Sequence, residues 1–230
     1  MLILSVDTTT RAGSVGVLRN GVILSEISGD PEVTHGQRLP GALMRALEAA
    51  GAGIEDVELF AVAAGPGSFT GLRVGIATVQ GLAMARSRRV VPVSVLDALA
   101  RAAANANGPV AAWMDAQRGE VFSALYAPDG AGTLIAAESS PPDLVLDSWL
   151  RRPDFRTPVF IGDGAVRYRR EILGRLGDSV RVLPAPPLAG LIGQIAAGSP
   201  ERAVLPHAVV PIYVRKSDAE LARARRAPAG

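Results

Sequence analysis

The chain contains no cysteine, which excludes disulfides, thiolate nucleophiles and thiolate metal sites together, and with them redox chemistry. Histidine is nearly as scarce. His35 and His207 are the only two, and no His-Glu-x-x-His or His-x-x-x-His pair is present to hold zinc or iron. No apolar run approaches the roughly 20 residues of a membrane helix. The opening Met1-Leu2-Ile3-Leu4-Ser5-Val6-Asp7 has no basic region and meets an aspartate before a signal-type apolar stretch develops. The expectation is a cytoplasmic protein with no membrane contact.

Catalytic signatures are missing as well. The glycine-rich run ending at Gly71 continues with Leu72-Arg73 rather than the Lys-Ser or Lys-Thr of a phosphate-binding loop, and no Gly-x-Gly-x-x-Gly spacing occurs. Ser68 lies in Pro66-Gly67-Ser68-Phe69-Thr70-Gly71, which is not a nucleophile elbow, so it reads as a turn or helix-cap residue and nothing supports a peptidase. Asp115 and Glu120 are separated by a turn-like Gln117-Arg118-Gly119 and form no evident acid–base pair. No catalytic residue is assigned, and the chain is expected not to be an enzyme.

What is present is enough apolar material for a sizeable core: 230 residues, 48% hydrophobic. The charge is close to balanced, with 24 bases and 22 acids, but residues 215–230 hold five bases against two acids. Two readings of this basic tail are open: a solvated terminus, or a contact with nucleic-acid phosphates through counterion release.

Three strands are expected over residues 2–8, 13–19 and 22–28, with Asn20-Gly21 closing a tight hairpin. Leu39, Leu43, Leu47 and Ala50 recur at helical spacing, predicting an amphipathic helix over 35–50. Pro40 implies that this helix starts near Leu39 or is kinked in an earlier turn. A buried strand over 57–64 feeds Gly65-Pro66-Gly67-Ser68-Phe69-Thr70-Gly71, which opens a second helix to about Arg86. Gly71, Gly75, Thr78 and Ala85 lay a small-residue stripe along it, suited to close approach by another helix of this chain or of a partner. A strand over 90–93 and a helix to 104, capped by Ser94 or Asp97, precede Asn105-Ala106-Asn107-Gly108-Pro109, the expected boundary. This gives an N-terminal lobe over 1–106, a C-terminal lobe over 107–214 and the tail over 215–230.

The second half restarts the pattern of the first, which suggests an internal duplication. A strand ends in Asp115, as the opening one ends in Asp7, and strands follow over 121–126 and 133–138. Further helices are expected over 142–150, 165–176 and 187–197, with a strand over 158–162. Paired strand–turn–strand units ending in aspartate are how actin-like and sugar-kinase ATPases hold ATP phosphates and magnesium. Asp7, however, is followed by Thr8-Thr9-Thr10, with no glycine to let the backbone approach a phosphate. Two readings remain: a degenerate ATP or ADP site with magnesium at Asp7, Thr8, Thr9 and Asp115, or aspartates that cap turns in a retained scaffold.

The run Gly65-Pro66-Gly67-Ser68-Phe69-Thr70-Gly71-Leu72-Arg73 resembles the TsaB (YeaZ-like) family, as do Leu4-Ser5-Val6-Asp7-Thr8-Thr9 and Met114-Asp115-Ala116-Gln117-Arg118-Gly119-Glu120-Val121. The resemblance extends to the helix over 35–47 and to Pro211-Ile212-Tyr213-Val214-Arg215-Lys216. It implies an α/β, actin-like ATPase fold of two ribonuclease H-like lobes, each a mixed sheet flanked by helices. It further implies a non-catalytic subunit, without a cofactor of its own, in threonylcarbamoylation of adenosine next to the anticodon of tRNA. Its partners would be the TsaD catalytic subunit and the TsaE ATPase, with tRNA engaged through the complex and a homodimer forming when TsaD is absent. Partner contact is then expected from the two N-terminal helices, at His35, Leu39, Leu43, Leu47, Gly71, Arg73, Gly75 and Thr78. The rival is a standalone ATP-dependent kinase or ATPase using Asp7, Thr8 and Asp115.

Overall fold

Asn20 and Gly21 both take positive φ, 52° and 80°, the geometry that folds two strands back on each other without splaying them. They join β2 (Ser14–Arg19) to β3 (Val22–Ser28), and β1 (Leu2–Asp7) pairs with β2 in the antiparallel register Leu2↔Arg19 to Asp7↔Ser14. The computed structural model describes residues 1–104 and 106–215. The tail from Lys216 onward lies outside the described residues.

After the meander come α1 (His35–Ala49), β4 (Leu59–Gly65), α2 (Phe69–Ala85), β5 (Arg89–Ser94) and α3 (Val95–Ala102). β4 adds to β1 in parallel and β5 to β4 in parallel, giving the sheet order β3-β2-β1-β4-β5. The second half comprises β6 (Val110–Asp115), β7 (Val121–Tyr126), β8 (Thr133–Ser140), α4 (Pro142–Trp149), β9 (Val159–Ile161), α5 (Asp163–Arg167), α6 (Arg169–Leu176), β10 (Arg181–Leu183) and α7 (Ala189–Gly198). Its sheet runs β8-β7-β6-β9-β10, with the same antiparallel meander and the same two parallel additions. One topology is built twice.

Strand alternation sorts the side chains into layers. Leu2, Leu4 and Val6 of β1 point to the outer face and pack with Leu39, Leu43 and Leu47 of α1 and Ile76 and Val79 of α2. Ile3 points the other way, into a core with Leu96 and Leu99 of α3, Ile192 of α7, and Val110 and Ala112 of β6. This middle layer joins the lobes. On the far side Trp113, Trp149 and Phe160 form an edge-on aromatic cluster between the second sheet and α4. The order is therefore helices, sheet, helices, sheet, helices.

Two expectations change. The first helix does not wait for Leu39: it starts at His35 and carries Pro40 in its sixth position. Proline removes the N–H that would bond to the carbonyl of Gly36, and both residues are exposed, so water can satisfy that oxygen. The single helix expected over 165–176 is two helices, α5 and α6, broken at Tyr168 with φ −102° and ψ 26°.

Candidate functional site

The C-terminal ends of β1 and β6 place Asp7 and Asp115 at the mouth of the cleft between the lobes. Asp7, Thr10, Arg11, Ser14, Asp163 and the segment from Pro184 to Pro187 line a cavity of about 550 Å³ there. Asp7 is buried, and its Oδ1 accepts from the backbone N–H of Thr9 at 2.8 Å and from Thr9 Oγ1 at 2.6 Å. This is the Asx turn by which an aspartate mimics backbone. Burial pushes its carboxyl above the usual carboxylate range, outweighing the two Thr9 bonds, and the nearby carboxylates of Asp163 and Glu26 push the same way.

Asp115 is held differently. Its Oδ1 accepts from the Gln117 backbone at 3.0 Å, and its Oδ2 accepts from Gln117 Nε2 at 2.8 Å and from Arg167 Nη1 at 2.7 Å. Gln117, Arg118 and Gly119 take φ of 60°, 56° and 81° to make this turn. Thr8, grouped with these residues by sequence, is directed at α2 instead: its hydroxyl donates to the Gly71 carbonyl at 2.8 Å.

A magnesium–nucleotide site needs carboxylate oxygens free to orient a hydrated cation and amides free to meet phosphate. Here both Asp115 oxygens are engaged, one by a guanidinium, and the surroundings of Asp7 disfavour its charge. Among the described residues no group of three or more His, Asp or Glu side chains could hold a metal ion. This donor set does not fit magnesium and nucleotide, and what it does chemically is fix two turns.

The helix face offers more. α1 and α2 lie side by side on the outer surface of the first sheet. Leu39, Leu43 and Leu47, expected to meet a partner, are 4%, 7% and 7% exposed and belong to the chain's own core. The glycine stripe also faces inward. A Cβ at Gly71 would fall 2.0 Å from the Thr8 carbonyl oxygen, and one at Gly75 would fall 2.1 Å from Thr8 Oγ1. These glycines let α2 close on the end of β1, so they are correctly read as close-approach residues and wrongly assigned to a partner. His35 is likewise a clamp: its Nε2 meets the Thr10 carbonyl at 3.0 Å, and Arg38 Nη2 lies 2.9 Å from its Nδ1. Since arginine only donates, Nδ1 accepts and Nε2 carries the proton. Burial, then the Arg38 charge, lowers the pKa of this ring.

Of the residues named from sequence, Arg73 and Thr78 stay on the open side. Arg73 is exposed over the Phe69 ring, and Thr78 is half-buried with its hydroxyl bonded to Val74 O at 2.8 Å. The rest of that open side escaped sequence reasoning. On α2 it continues through Ala77 and Gly81 to Met84, and on α1 it carries Pro40 and Met44. Met44 is 72% exposed and Met84 63%, while a Cβ at Gly81 would meet nothing within 4 Å. The available signal was two methionines outside the leucine stripe. Arg38 was also missed, although it bonds to the carbonyls of Arg11 and Asp30 and so pins the β1–β2 turn from α1.

A solved structure described as an uncharacterised protein with similarity to peptidase YeaZ, from Pseudomonas aeruginosa, superposes with a TM-score of 0.76 at 30% identity, covering 93% of this chain and 99% of that one. The chain belongs to the TsaB (YeaZ-like) family. The Escherichia coli tRNA threonylcarbamoyladenosine biosynthesis protein TsaB is 37% identical over 134 residues, which span 57% of this chain and 58% of that relative's length. Residues 30–140 also match the family model described as TsaD, tRNA N6-adenosine threonylcarbamoyltransferase. The duplicated two-lobe architecture is that of the actin-like ATPases; an activator of 2-hydroxyisocaproyl-CoA dehydratase from Clostridium difficile, solved with ADPNP, shares it at a TM-score of 0.50 and 10% identity. Among the described residues no helix is long and apolar enough to cross a membrane.

Proposed function

We propose that this chain serves tRNA threonylcarbamoyladenosine biosynthesis by gripping a catalytic partner through the open face of α1 and α2. The observation that carries the reading is that face. Two methionines, 72% and 63% exposed, flank a stretch in which Ala77 and Gly81 keep the helix surface low. A long flexible thioether beside a shallow, uncharged helix stripe suits packing against another helix. An apolar face of this kind on a soluble protein calls for a cover.

The partner is TsaD. Because residues 30–140 match the TsaD model itself, the partner presents a related pair of helices, and the two pack as near-equivalents. The same logic lets two copies of this chain pair when TsaD is absent. Binding shifts TsaD towards its competent form rather than adding a catalytic group. TsaE and tRNA join the resulting complex. In this reading Asp7 and Asp115 hold the cleft's turns, and the standalone ATPase alternative has the Arg167–Asp115 pair against it.

The test is tRNA threonylcarbamoylation in a purified mixture of TsaD, TsaE, the adenylate-forming enzyme, ATP, bicarbonate and threonine. Activity should depend on this chain and survive Asp7→Asn and Asp115→Asn. Full activity without the chain would overturn the proposal; loss with either aspartate variant, fold and complex intact, would revive the nucleotide site.

A further inference from the structure

Beyond α7 the chain returns to the first lobe and runs along α2. Val204 and Val90 of β5 exchange backbone bonds of 3.0 and 2.9 Å, which caps the edge strand of the first sheet. Gln80 Nε2 of α2 then donates to the Pro206 carbonyl at 2.9 Å and to that of Val209 at 3.2 Å. Further on, Ile212 N–H donates to the Ala64 carbonyl at 2.7 Å, and Tyr213 sits against Phe69, the first residue of α2, with ring centroids 6.0 Å apart. This strap over 204–213 is therefore antiparallel to α2, from Gln80 back to Phe69. Thr70 and Val74 mark the other side of the helix, where they line a cavity with His35 and Gly36 of α1. Across the surface the order is α1, α2, strap.

What the strap leaves open is apolar. Pro206 and Val209 are turned inward and buried, whereas Leu205, Val210, Ile212 and Tyr213 are exposed, Val210 at 68%. Of the chain's ten aromatic residues, only Phe69 and Tyr213 are exposed, at 50% and 52%, and they touch each other. Arg73, one helical turn after Phe69, holds its guanidinium carbon 3.9 Å from the centre of that ring and has no ion-pair partner among the described residues. Aromatic rings with an arginine, set among apolar side chains, have the composition of the anchor of a protein interface. The patch is continuous with the open face of α1 and α2, since Ala77 follows Arg73 by one turn. A guanidinium covered by a partner needs an acceptor, and among the described residues this chain supplies none, so the partner must.

We infer that the strap is a third wall of the docking face and that Phe69, Arg73 and Tyr213 form its anchor, which takes a carboxylate flanked by apolar side chains on TsaD. The rings and Val210 supply apolar area at low conformational cost. Stacking on Phe69 aligns the arginine so that its donors are presented to the carboxylate. The strap lies outside residues 30–140, the stretch that matches the TsaD model, so it adds to the face something that a shared helix pair does not provide. This deepens the reading above and rests on it for the choice of TsaD as the occupant.

The experiment is calorimetric titration of the intact chain with TsaD across a salt series, with self-association of each variant followed by sedimentation velocity. Tyr213→Ala and Val210→Asp should each weaken TsaD binding about ten- to hundred-fold with the fold retained, while Tyr213→Phe keeps the wild-type affinity. Val210 is exposed enough that the aspartate leaves folding unaffected and acts only by repelling the incoming carboxylate. Arg73→Gln should weaken binding about three- to ten-fold and flatten its salt dependence; a wild-type salt response there overturns the carboxylate. Wild-type TsaD affinity in folded Tyr213→Ala and Val210→Asp chains overturns the third wall, as does loss of self-association in them with TsaD affinity intact, which would make the strap a contact between copies. Gly81→Trp, on the open face itself, separates the two claims. If it weakens TsaD binding and the strap variants do not, the strap alone falls; if none of them does, the face proposed above is not where TsaD binds.

Discussion

Two glycines on one helix should respond to the same substitution with opposite signs. In an exposed helix interior Gly→Ala gains about 1 kcal/mol by restricting the unfolded chain. At Gly81 nothing lies within 4 Å of the new methyl, so the gain is realised: about 0.5–1 kcal/mol, or roughly 1–4 °C for a chain of this size. At Gly75 the methyl would lie 2.1 Å from Thr8 Oγ1. Thr8 is 1% exposed and donates to the Gly71 carbonyl at 2.8 Å, so relieving the clash breaks a buried bond worth about 0.5–1.5 kcal/mol. Overpacking adds about 1–3 kcal/mol, and after the propensity gain the net loss is about 0.5–3.5 kcal/mol. Urea midpoints at unchanged slope measure both effects. Thr8→Ala combined with Gly75→Ala should cost at least about 1 kcal/mol less than the sum of the single changes, because the clashing hydroxyl is gone. A Gly75→Ala chain as stable as the wild type, or both glycines moving together, would refute this packing of α2 on β1.

Three further predictions follow from the cleft and the joint between the lobes. Asp7 is held above its ordinary pKa of 3.8, so the folded state binds its proton more tightly than the unfolded chain, and wild-type stability falls as pH rises through the folded pKa. Asp7→Asn, which keeps an acceptor for Thr9, should therefore melt higher than wild type near neutrality, with the advantage vanishing towards acid; a difference that ignores pH would contradict this. Glu26 Oε1 accepts from Gly190 N–H at 2.8 Å, and Ser14 Oγ from Ala189 N–H at 2.9 Å, so the first lobe caps a helix of the second. Glu26→Ala should cost about 1 kcal/mol in urea unfolding and Glu26→Gln less. Arg167→Ala removes the guanidinium from Asp115 Oδ2 and leaves that oxygen only the Gln117 side-chain amide; if the ion pair is what keeps cations out, calorimetry should detect magnesium binding that is absent from the wild type.

The elements most legible in the sequence were those whose signal is local. Asn20-Gly21 fixed the hairpin because only residues tolerant of positive φ make that turn, and Ser68 and Ser94 cap α2 and α3 through their hydroxyls, accepting from Gly71 N and Asp97 N. Periodicity found the leucine stripe of α1 but is silent on what covers it. Leu39, Leu43 and Leu47 face the chain's own sheet, and the surface left for a partner carries methionine and glycine, residues with no periodic signature of their own. The glycines of α2 were legible as a demand for close approach, but the object approached, Thr8, lies more than 60 residues earlier. Pro40 left the start of α1 open between His35 and Leu39, and the helix starts at His35 because an exposed carbonyl tolerates the loss of its helical partner. The Asp115–Arg167 pair spans both a turn and a helix that the sequence does not bring together.

The central claim is that the open side of α1 and α2 grips TsaD, and calorimetric titration of TsaD with the Gly81→Trp chain tests it most directly. Space around Gly81 lets the indole stand out from the helix without disturbing the fold. The account predicts an unchanged melting temperature and a TsaD affinity weakened at least about ten-fold, as expected for overpacking of a close helix contact. Wild-type affinity in a folded Gly81→Trp chain would contradict it and place the interface elsewhere.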